Sequence, residues 1–266
     1  MRSQYQILEL IGQGQFGRVY RAIHRQSGDL VAVKELEQRR FSTHKFLREL
    51  RFLLGLQHPN IVSCLAIEHT KTGRYIVMDY CAEGNLRNIM QATSEVDRIQ
   101  KLKLVVDLLS GLAHAHAQGV IHCDIKPENI LLSRDKTELV AHLSDFGIAR
   151  FSQEIVQENN LGSPAYMAPE QFYGKFSPAS DLYAVGVILY ELIVGERPFT
   201  GLPGKLMSAH LNETLSIPNT VPFLLRSIIS TAMQKLPARR FASASEMLKA
   251  VQLAIAVEES KTESRI

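Results

Sequence analysis

Two stretches of the 266-residue chain gather residue types that can do chemistry. In Val120-Ile121-His122-Cys123-Asp124-Ile125-Lys126-Pro127-Glu128-Asn129-Ile130-Leu131-Leu132, a carboxylate, an amine and an amide share one short loop. An apolar pair precedes the loop and an apolar run follows it. Asp124, Lys126 and Asn129 are thus braced by two buried segments, as in a site rather than a surface turn. In Gly12-Gln13-Gly14-Gln15-Phe16-Gly17, the glycine spacing allows a tight turn with exposed backbone N–H groups. With no Cβ in the way, these groups can approach phosphate oxygens closely.

The neighbouring elements decide what kind of phosphate site this is. Tyr5 to Ile11 alternates as a strand, Arg18 to Ile23 reads as a second, and Leu30 to Lys34 as a third after the turn Ser27-Gly28-Asp29. A dinucleotide-binding fold needs a helix directly after the glycines, so a strand–glycine–strand hairpin disfavours it. Thr43 is placed to cap a helix from His44 to Leu56, in which Glu49 lies among Phe46, Leu50, Leu53 and Leu54. Pro59 breaks that helix, and strands Ser63 to His69 and Arg74 to Met78 follow, turning at Lys71-Thr72-Gly73. The amino-terminal part is therefore a small, mostly antiparallel sheet with one helix.

The carboxy-terminal part reads as mostly helical. Ser94-x-x-Asp97 predicts a capping box for a helix whose apolar period runs through Leu102, Val105, Val106, Leu109, Leu112 and His116, closed by Gly119. Ile130-Leu131-Leu132 and Val140 to Leu143 predict a hairpin around Arg134-Asp135-Lys136. Pro178 sits at the first position of a helix ended by Gly195, and Ser243-x-x-Glu246 opens a last amphipathic helix. The polar stretch from Glu258 to Ile266 is expected to fray.

Composition excludes several classes. Hydrophobic residues at 45% and charged residues at 21% are ordinary for a globular chain, and a net charge of +3 is too small to argue for nucleic acid or an anionic membrane. Cys64, Cys81 and Cys123 form no CxxC pair and no disulfide framework, which points to a reducing, cytoplasmic setting. The start, Met1-Arg2-Ser3-Gln4-Tyr5, has no apolar signal core, and no apolar run reaches the ~18 residues of a membrane span. No membrane contact is expected of this chain, and its being the cytosolic part of a longer or membrane-anchored protein is equally compatible.

Four motifs stand in order after the glycine hairpin: Val31-Ala32-Val33-Lys34, Asp124-x-Lys126-x-x-Asn129, Ser144-Asp145-Phe146-Gly147, and Gly162-Ser163-Pro164 leading to Ala168-Pro169-Glu170. Together with the glycine hairpin, this set resembles the eukaryotic-like Ser/Thr protein kinases that occur in bacteria, over residues 5 to 255. The resemblance implies an α+β, bilobal protein-kinase fold, with an antiparallel sheet plus one helix in the N-lobe and a mostly helical C-lobe. It implies a single domain over 1–266: N-lobe 1–78, hinge 79–84, C-lobe 85–257 and a polar tail 258–266. It also implies ATP as phosphoryl donor, Mg2+ (with Mn2+ as the alternative ion) as cofactor, and proteins carrying Ser or Thr as partners.

Roles carry over residue by residue onto the matching positions. Gly12, Gly14 and Gly17 would cover the phosphates, with Ile11 at the edge of the same site. Lys34 would hold the α/β-phosphates and Glu49 would hold Lys34. Val19, Ala32 and Leu131 would sandwich the adenine, Met78 would back the pocket, and backbone groups near Asp79 and Cys81 would bond the adenine edge. Asn129 and Asp145 would bind the metal. Asp124 would accept the proton of the acceptor hydroxyl, Lys126 would neutralise the transferring phosphoryl, and Ser163 would bond near both. His122, Phe146, Glu170, Asp181 and Arg240 would be structural, Asp181 bracing the catalytic loop backbone and Arg240 pairing with Glu170.

Two positions depart from the family pattern. Leu236 replaces the usual Asp before Pro237, a minor change. Cys123 stands where many such kinases have an Arg that clamps a phosphorylated activation-loop residue, and the usual phosphosite falls at Glu158 to Asn160, which cannot be phosphorylated. With both halves of the clamp missing, this non-RD chain is expected not to depend on phosphorylation of that loop. Cys123 itself reads as a small buried apolar residue; oxidation beside Asp124 is the sharper alternative. The competing functions are a pseudokinase scaffold, against which Lys34, Asp124, Asn129 and Asp145 argue, and a small-molecule kinase, against which Ala168-Pro169-Glu170 and Arg240 argue.

Overall fold

The computed structural model describes residues 4–14, 17–36, 55–69, 73–92, 96–146, 150–151 and 163–263. The chain divides into two compact units, residues 1–82 and 83–266. Among the described residues, no helix is long and apolar enough to cross a membrane.

The first unit is a five-stranded antiparallel sheet of β1 (Tyr5–Gly14), β2 (Gly17–His24), β3 (Leu30–Leu36), β4 (Cys64–His69) and β5 (Arg74–Asp79), in the order β1-β2-β3-β5-β4. Alternation along the strands sorts the side chains. One face buries Ala22, Val31, Val33 and Val77 with Tyr5, Ala66 and Tyr75. The other packs Leu36 and Ile76 with Cys64, Ile67 and Met78. β1 runs three residues past its expected end, so Gly14 pairs with Gly17 and the glycines close a hairpin with no helix after them. Gly17 has φ +135, and a Cβ there would stand 1.9 Å from the Glu35 carbonyl oxygen, so only glycine fits. The helix expected over His44–Leu56, with Thr43 and Glu49, falls almost wholly within positions 37–54, outside the described residues. The Lys71-Thr72 turn also lies outside them.

The second unit holds α1 (Leu86–Gln91), α2 (Arg98–Ala117), α3 (Pro178–Val194), α4 (Pro203–Asn212), α5 (Phe223–Ala232) and α6 (Ala244–Glu263). It also holds the hairpin of β7 (Ile130–Asp135) and β8 (Glu138–Leu143), and the short pair β6 (Val120–Ile121) with β9 (Arg150–Phe151). Helix α3 is the axis: every residue from Ser180 to Leu192 is buried, as expected of a helix apolar on all sides. A Cβ on its Gly186 would stand 2.8 Å from the Ala232 Cβ, so that glycine lets α5 pack closely.

Three details differ from the sequence reading. The amino terminus of α2 is capped by Asp97 itself, which accepts the Gln100 N–H at 2.8 Å; Ser94 lies outside the described residues. The tail expected to fray from Glu258 is helical to Glu263, tied back by an Arg98–Glu258 ion pair of 2.9 Å. Residues 196–236, which carry no motif, form α4 and α5.

Candidate active site

The polar loop lies between β6 and β7, whose buried Val120, Ile121, Ile130 and Leu132 fix its two ends. Its backbone is held from α3. The Asp181 carboxylate, 1% exposed, accepts the His122 N–H through Oδ2 and the Cys123 N–H through Oδ1, each at 2.9 Å. His116 Nε2 stands 2.9 Å from the same Oδ2. Cys123 has φ +70, a left-handed conformation unusual for a side chain with a Cβ. Asp181 holds the backbone in that turn. Asp181→Ala removes the acceptor of two buried amides, each costing about 1–3 kcal/mol when unsatisfied, so a loss of about 3 kcal/mol in urea unfolding is expected. A loss below about 1 kcal/mol would show that the loop does not depend on this brace.

His122 is fully buried. Its Nε2–H donates to the Ser144 carbonyl at 2.9 Å, its Nδ1 accepts the Asp124 N–H at 3.3 Å, and its ring lies 4.7 Å from that of Phe146. These bonds tie Asp124 to the stretch carrying Asp145, which itself sits at φ +59. Both oxygens of the Asp124 carboxylate are engaged. Oδ1 accepts the Ser163 N–H at 3.0 Å and its hydroxyl at 3.1 Å. Oδ2 accepts Lys126 Nζ at 2.7 Å and Asn129 Nδ2 at 3.2 Å. Asn129 Nδ2 also donates to the Asp124 carbonyl at 2.8 Å, which leaves Asn129 Oδ1 as an oxygen donor. That oxygen and the Asp145 carboxylate are each a hard oxygen donor of the type that suits Mg2+ completed by phosphate oxygens. Among the described residues, no group of three or more His, Cys, Asp or Glu side chains could hold a metal unaided.

The segment from Ser163 to Ala168 is fixed at four points. Pro164 sets a turn closed by the Tyr166 N–H on the Ser163 carbonyl at 2.9 Å. Ser163 meets Asp124 as above. The Ala165 carbonyl faces His210 Nε2 at 3.2 Å. Tyr166 donates its hydroxyl to Glu191 at 2.6 Å. Gln171 accepts the Ala168 N–H at 2.8 Å and donates to the Cys123 carbonyl at 3.1 Å. Arg87 of α1 joins Tyr166, Glu191 (2.7 Å) and Glu128 (3.0 Å). Burial first, and then the Glu191 carboxylate, push the Tyr166 hydroxyl above its ordinary range, so it remains a neutral donor. Beneath the segment, Arg240 grips Glu170 with two bonds of 2.7 Å.

Arg87, Gln171, Glu191 and His210 had no signal in the sequence, because each makes a bond to a segment far away along the chain. His210 is strongly perturbed. Burial, and then the charge of Lys235, lower its pKa from 6.5 to about 4 against the pull of the Ala165 carbonyl. A depressed folded-state pKa means that the unfolded chain takes up the proton first. Stability is therefore complete above pH 6.5 and falls as pH drops toward 4, by up to about 3 kcal/mol from this group. Urea melts of wild type and His210→Phe between pH 7 and 4.5 should converge as the pH falls; parallel curves would contradict this assignment.

In the first unit, the β-sheet register gathers the other expected residues on one face. Gly12 opposes Val19, Val19 opposes Lys34, and Ala32 opposes Met78. Lys34 is buried, 7% exposed, whereas Ile11 is 45% exposed. The Asp79 N–H is bonded to the Ser63 carbonyl at 3.1 Å and its carboxylate accepts the Ser63 N–H at 3.3 Å. The Cys81 thiol is pushed up to about 11, by burial and then by the charge of Asp79, which keeps it protonated near neutral pH. Leu131, in the second unit, is bridged to Asn85. Glu49 lies outside the described residues.

Residues 5–252 match the protein kinase domain family, and the chain belongs to it. The chain is 33% identical over 245 residues to the serine/threonine-protein kinase RUNKEL of Arabidopsis thaliana, covering 90% of this chain and 18% of that protein. It is 33% identical over 255 residues to serine/threonine-protein kinase PkaA of Streptomyces coelicolor, covering 88% and 47%. Against the probable serine/threonine-protein kinase PknB of Lactococcus lactis it is 33% identical over 260 residues, covering 92% and 41%. The chain thus spans less than half the length of these curated relatives.

Proposed function

We propose that the chain is an ATP-dependent protein kinase that phosphorylates serine and threonine hydroxyls. One observation carries the reading: the Asp124 carboxylate is fixed on both oxygens, by Lys126 and Asn129 from its own loop and by Ser163 from 39 residues away. A carboxylate so held can orient an acceptor hydroxyl and take its proton. The acceptor oxygen bonds to the γ-phosphorus, the bond from that phosphorus to the bridging oxygen breaks, ADP leaves, and the hydroxyl proton passes to Asp124. Lys126 offsets the charge on the transferring group. Ser163, anchored to Asp124, sets the edge against which a polypeptide lies.

On this reading Lys34, with Glu49, holds the α/β-phosphates under the backbone of Gly12, Gly14 and Gly17. Ile11, Val19, Ala32, Met78 and Leu131 enclose the adenine, whose edge bonds the backbone near Asp79 and Cys81. Because the Asp79 N–H is already committed to Ser63, the groups proposed for the adenine edge are the Asp79 carbonyl and the backbone of Cys81. Asn129 Oδ1 and Asp145 would hold Mg2+, whose charge would offset that of the phosphates. The whole chain then works as one kinase domain, with lobes 1–78 and 85–257 joined at 79–84. Ser/Thr selectivity is supported by Lys126 at its D-x-K spacing, by Ser163, and by the names of all three relatives.

Cys123 is buried, with Sγ 3.5 Å from the Ile121 carbonyl, and offers no cation to a phosphate. Glu158, Asn159 and Asn160 lie outside the described residues, but none carries a hydroxyl. Phosphatase treatment should therefore leave turnover within about twofold of the untreated protein. Ser152 is a hydroxyl residue between Asp145-Phe146-Gly147 and Ala168-Pro169-Glu170, and turnover abolished by phosphatase and restored by Ser152→Glu would refute this. The reading as a whole is tested by incubating the chain with casein and histone and either γ- or α-labelled ATP. Label is expected on protein from γ-ATP alone; nucleotide binding without transfer, or label from α-ATP, would overturn it.

A further inference from the structure

His210 lies on α4 and belongs to none of the roles above, yet it touches the segment that positions Ser163. A carbonyl oxygen can only accept, so the 3.2 Å contact to the Ala165 oxygen requires the proton on Nε2. Nδ1 is then an acceptor, and the Tyr183 hydroxyl of α3, 2.9 Å away, must donate to it. The result is a directed relay: Tyr183 O–H to His210 Nδ1, and His210 Nε2–H to the Ala165 carbonyl. The ring is fully buried and packed by Phe199 at 5.0 Å, Tyr183 at 5.7 Å and Phe172 at 6.2 Å.

Burial first, and then the charge of Lys235, hold the ring neutral. Lys235 Nζ donates to the His210 carbonyl at 2.8 Å and the Ala209 carbonyl at 3.2 Å, and lies over the Phe199 ring. Arg240 lies over the Tyr183 ring, 4.9 Å from its centroid, and is paired with Glu170. Glu213 acts on Lys235. Burial and the Lys235 ammonium thus favour a neutral ring, and the two hydrogen bonds fix its tautomer.

Resting on the kinase reading above, we propose that His210 is a positioning residue for the protein acceptor. By holding the Ala165 carbonyl, it fixes the Ser163–Tyr166 turn, and through Ser163 it sets where the acceptor hydroxyl meets Asp124. Ser163 is two residues from Ala165 within one hydrogen-bonded turn, so release of the carbonyl lets the hydroxyl on Asp124 move. The relay's bonds run from Tyr183 to Ala165, both in the second unit, so acceptor use should change and nucleotide use should not.

The test measures steady-state transfer to casein and histone, with ATP and acceptor varied separately, for wild type, His210→Phe and His210→Gln. Phenylalanine keeps the aromatic packing and removes both hydrogen bonds; glutamine can restore a donor to Ala165. His210→Phe is expected to lower kcat/KM for the acceptor about tenfold with KM for ATP unchanged within about twofold, and His210→Gln to recover to within about threefold of wild type. Acceptor kinetics of His210→Phe within about twofold of wild type would overturn the proposal, as would a parallel rise in KM for ATP, the mark of a general loss of structure. Independently of how the variants fold, 15N NMR of wild type should show His210 as the neutral Nε2–H tautomer from pH 5.5 to 8, and an Nδ1–H tautomer would overturn the relay. If wild type labels neither acceptor nor itself, the kinase reading fails, an outcome distinct from a silent His210 variant.

Discussion

Asp124→Asn is expected to lower turnover about 10²–10⁴-fold, the range typical for loss of a positioned general base, while ADP affinity stays within about twofold. The substitution is nearly isosteric, but an amide has one acceptor oxygen where the carboxylate has two. If that oxygen faces Ser163, the new NH2 group faces Lys126 Nζ and Asn129 Nδ2, both of which now donate to Asp124 Oδ2. Lys126, 24% exposed, can swing into solvent, so the fold survives at a cost of about 1–2 kcal/mol. Initial-rate transfer with saturating ATP, alongside ADP titration, separates the two effects. A variant retaining more than about a tenth of wild-type turnover would mean that the Asp124 carboxylate takes no proton in the rate-limiting step.

The largest stability effect is expected at Arg240. Its guanidinium is completely buried and makes five bonds: two to Glu170 at 2.7 Å, and one each to the carbonyls of Ala179 (2.9 Å), Gln234 (2.8 Å) and Lys235 (3.0 Å). Arg240→Ala leaves Glu170 with a buried charge and Ser180 Oγ as its one remaining side-chain donor among the described residues. Breaking one side of a buried pair costs about 3–5 kcal/mol. Removing both charges, as in Arg240→Met with Glu170→Gln, should recover part of that and not all, since three carbonyls have still lost their donor. Urea unfolding of the two variants checks this. A single-variant loss below about 1 kcal/mol would show that the pair is solvated and the burial misjudged.

What was legible in the sequence is what is local. Asp124, Lys126 and Asn129 meet because they lie within six positions between two apolar runs, and Gly17 announces a backbone that no other residue can adopt. The sheet was readable from alternation, and α3 from Pro178 at its first position, the mostly apolar stretch from Leu182 to Val194 and Gly195 after it. What escaped was long-range. Arg87 reaches Glu191 across 104 residues and His210 reaches Ala165 across 45, and no period or motif encodes such a meeting. Helix α1, six residues long, is too short to show a period. Helix α5 is a different case: Leu225, Ile228, Ile229 and Ala232 fall at helical spacing and are buried, so that element was available to a closer reading. At Ser94–Asp97 two residues could each cap a helix, and the local choice between them was settled by which side chain reaches the N3 amide.

The central claim concerns the chemical identity of the acceptor, and acid hydrolysis of the labelled protein tests it most directly. After transfer from γ-labelled ATP, the hydrolysate should contain phosphoserine and phosphothreonine and no phosphotyrosine. Label recovered in phosphotyrosine, or only as inorganic phosphate with none on protein, would contradict a serine/threonine kinase built around Asp124.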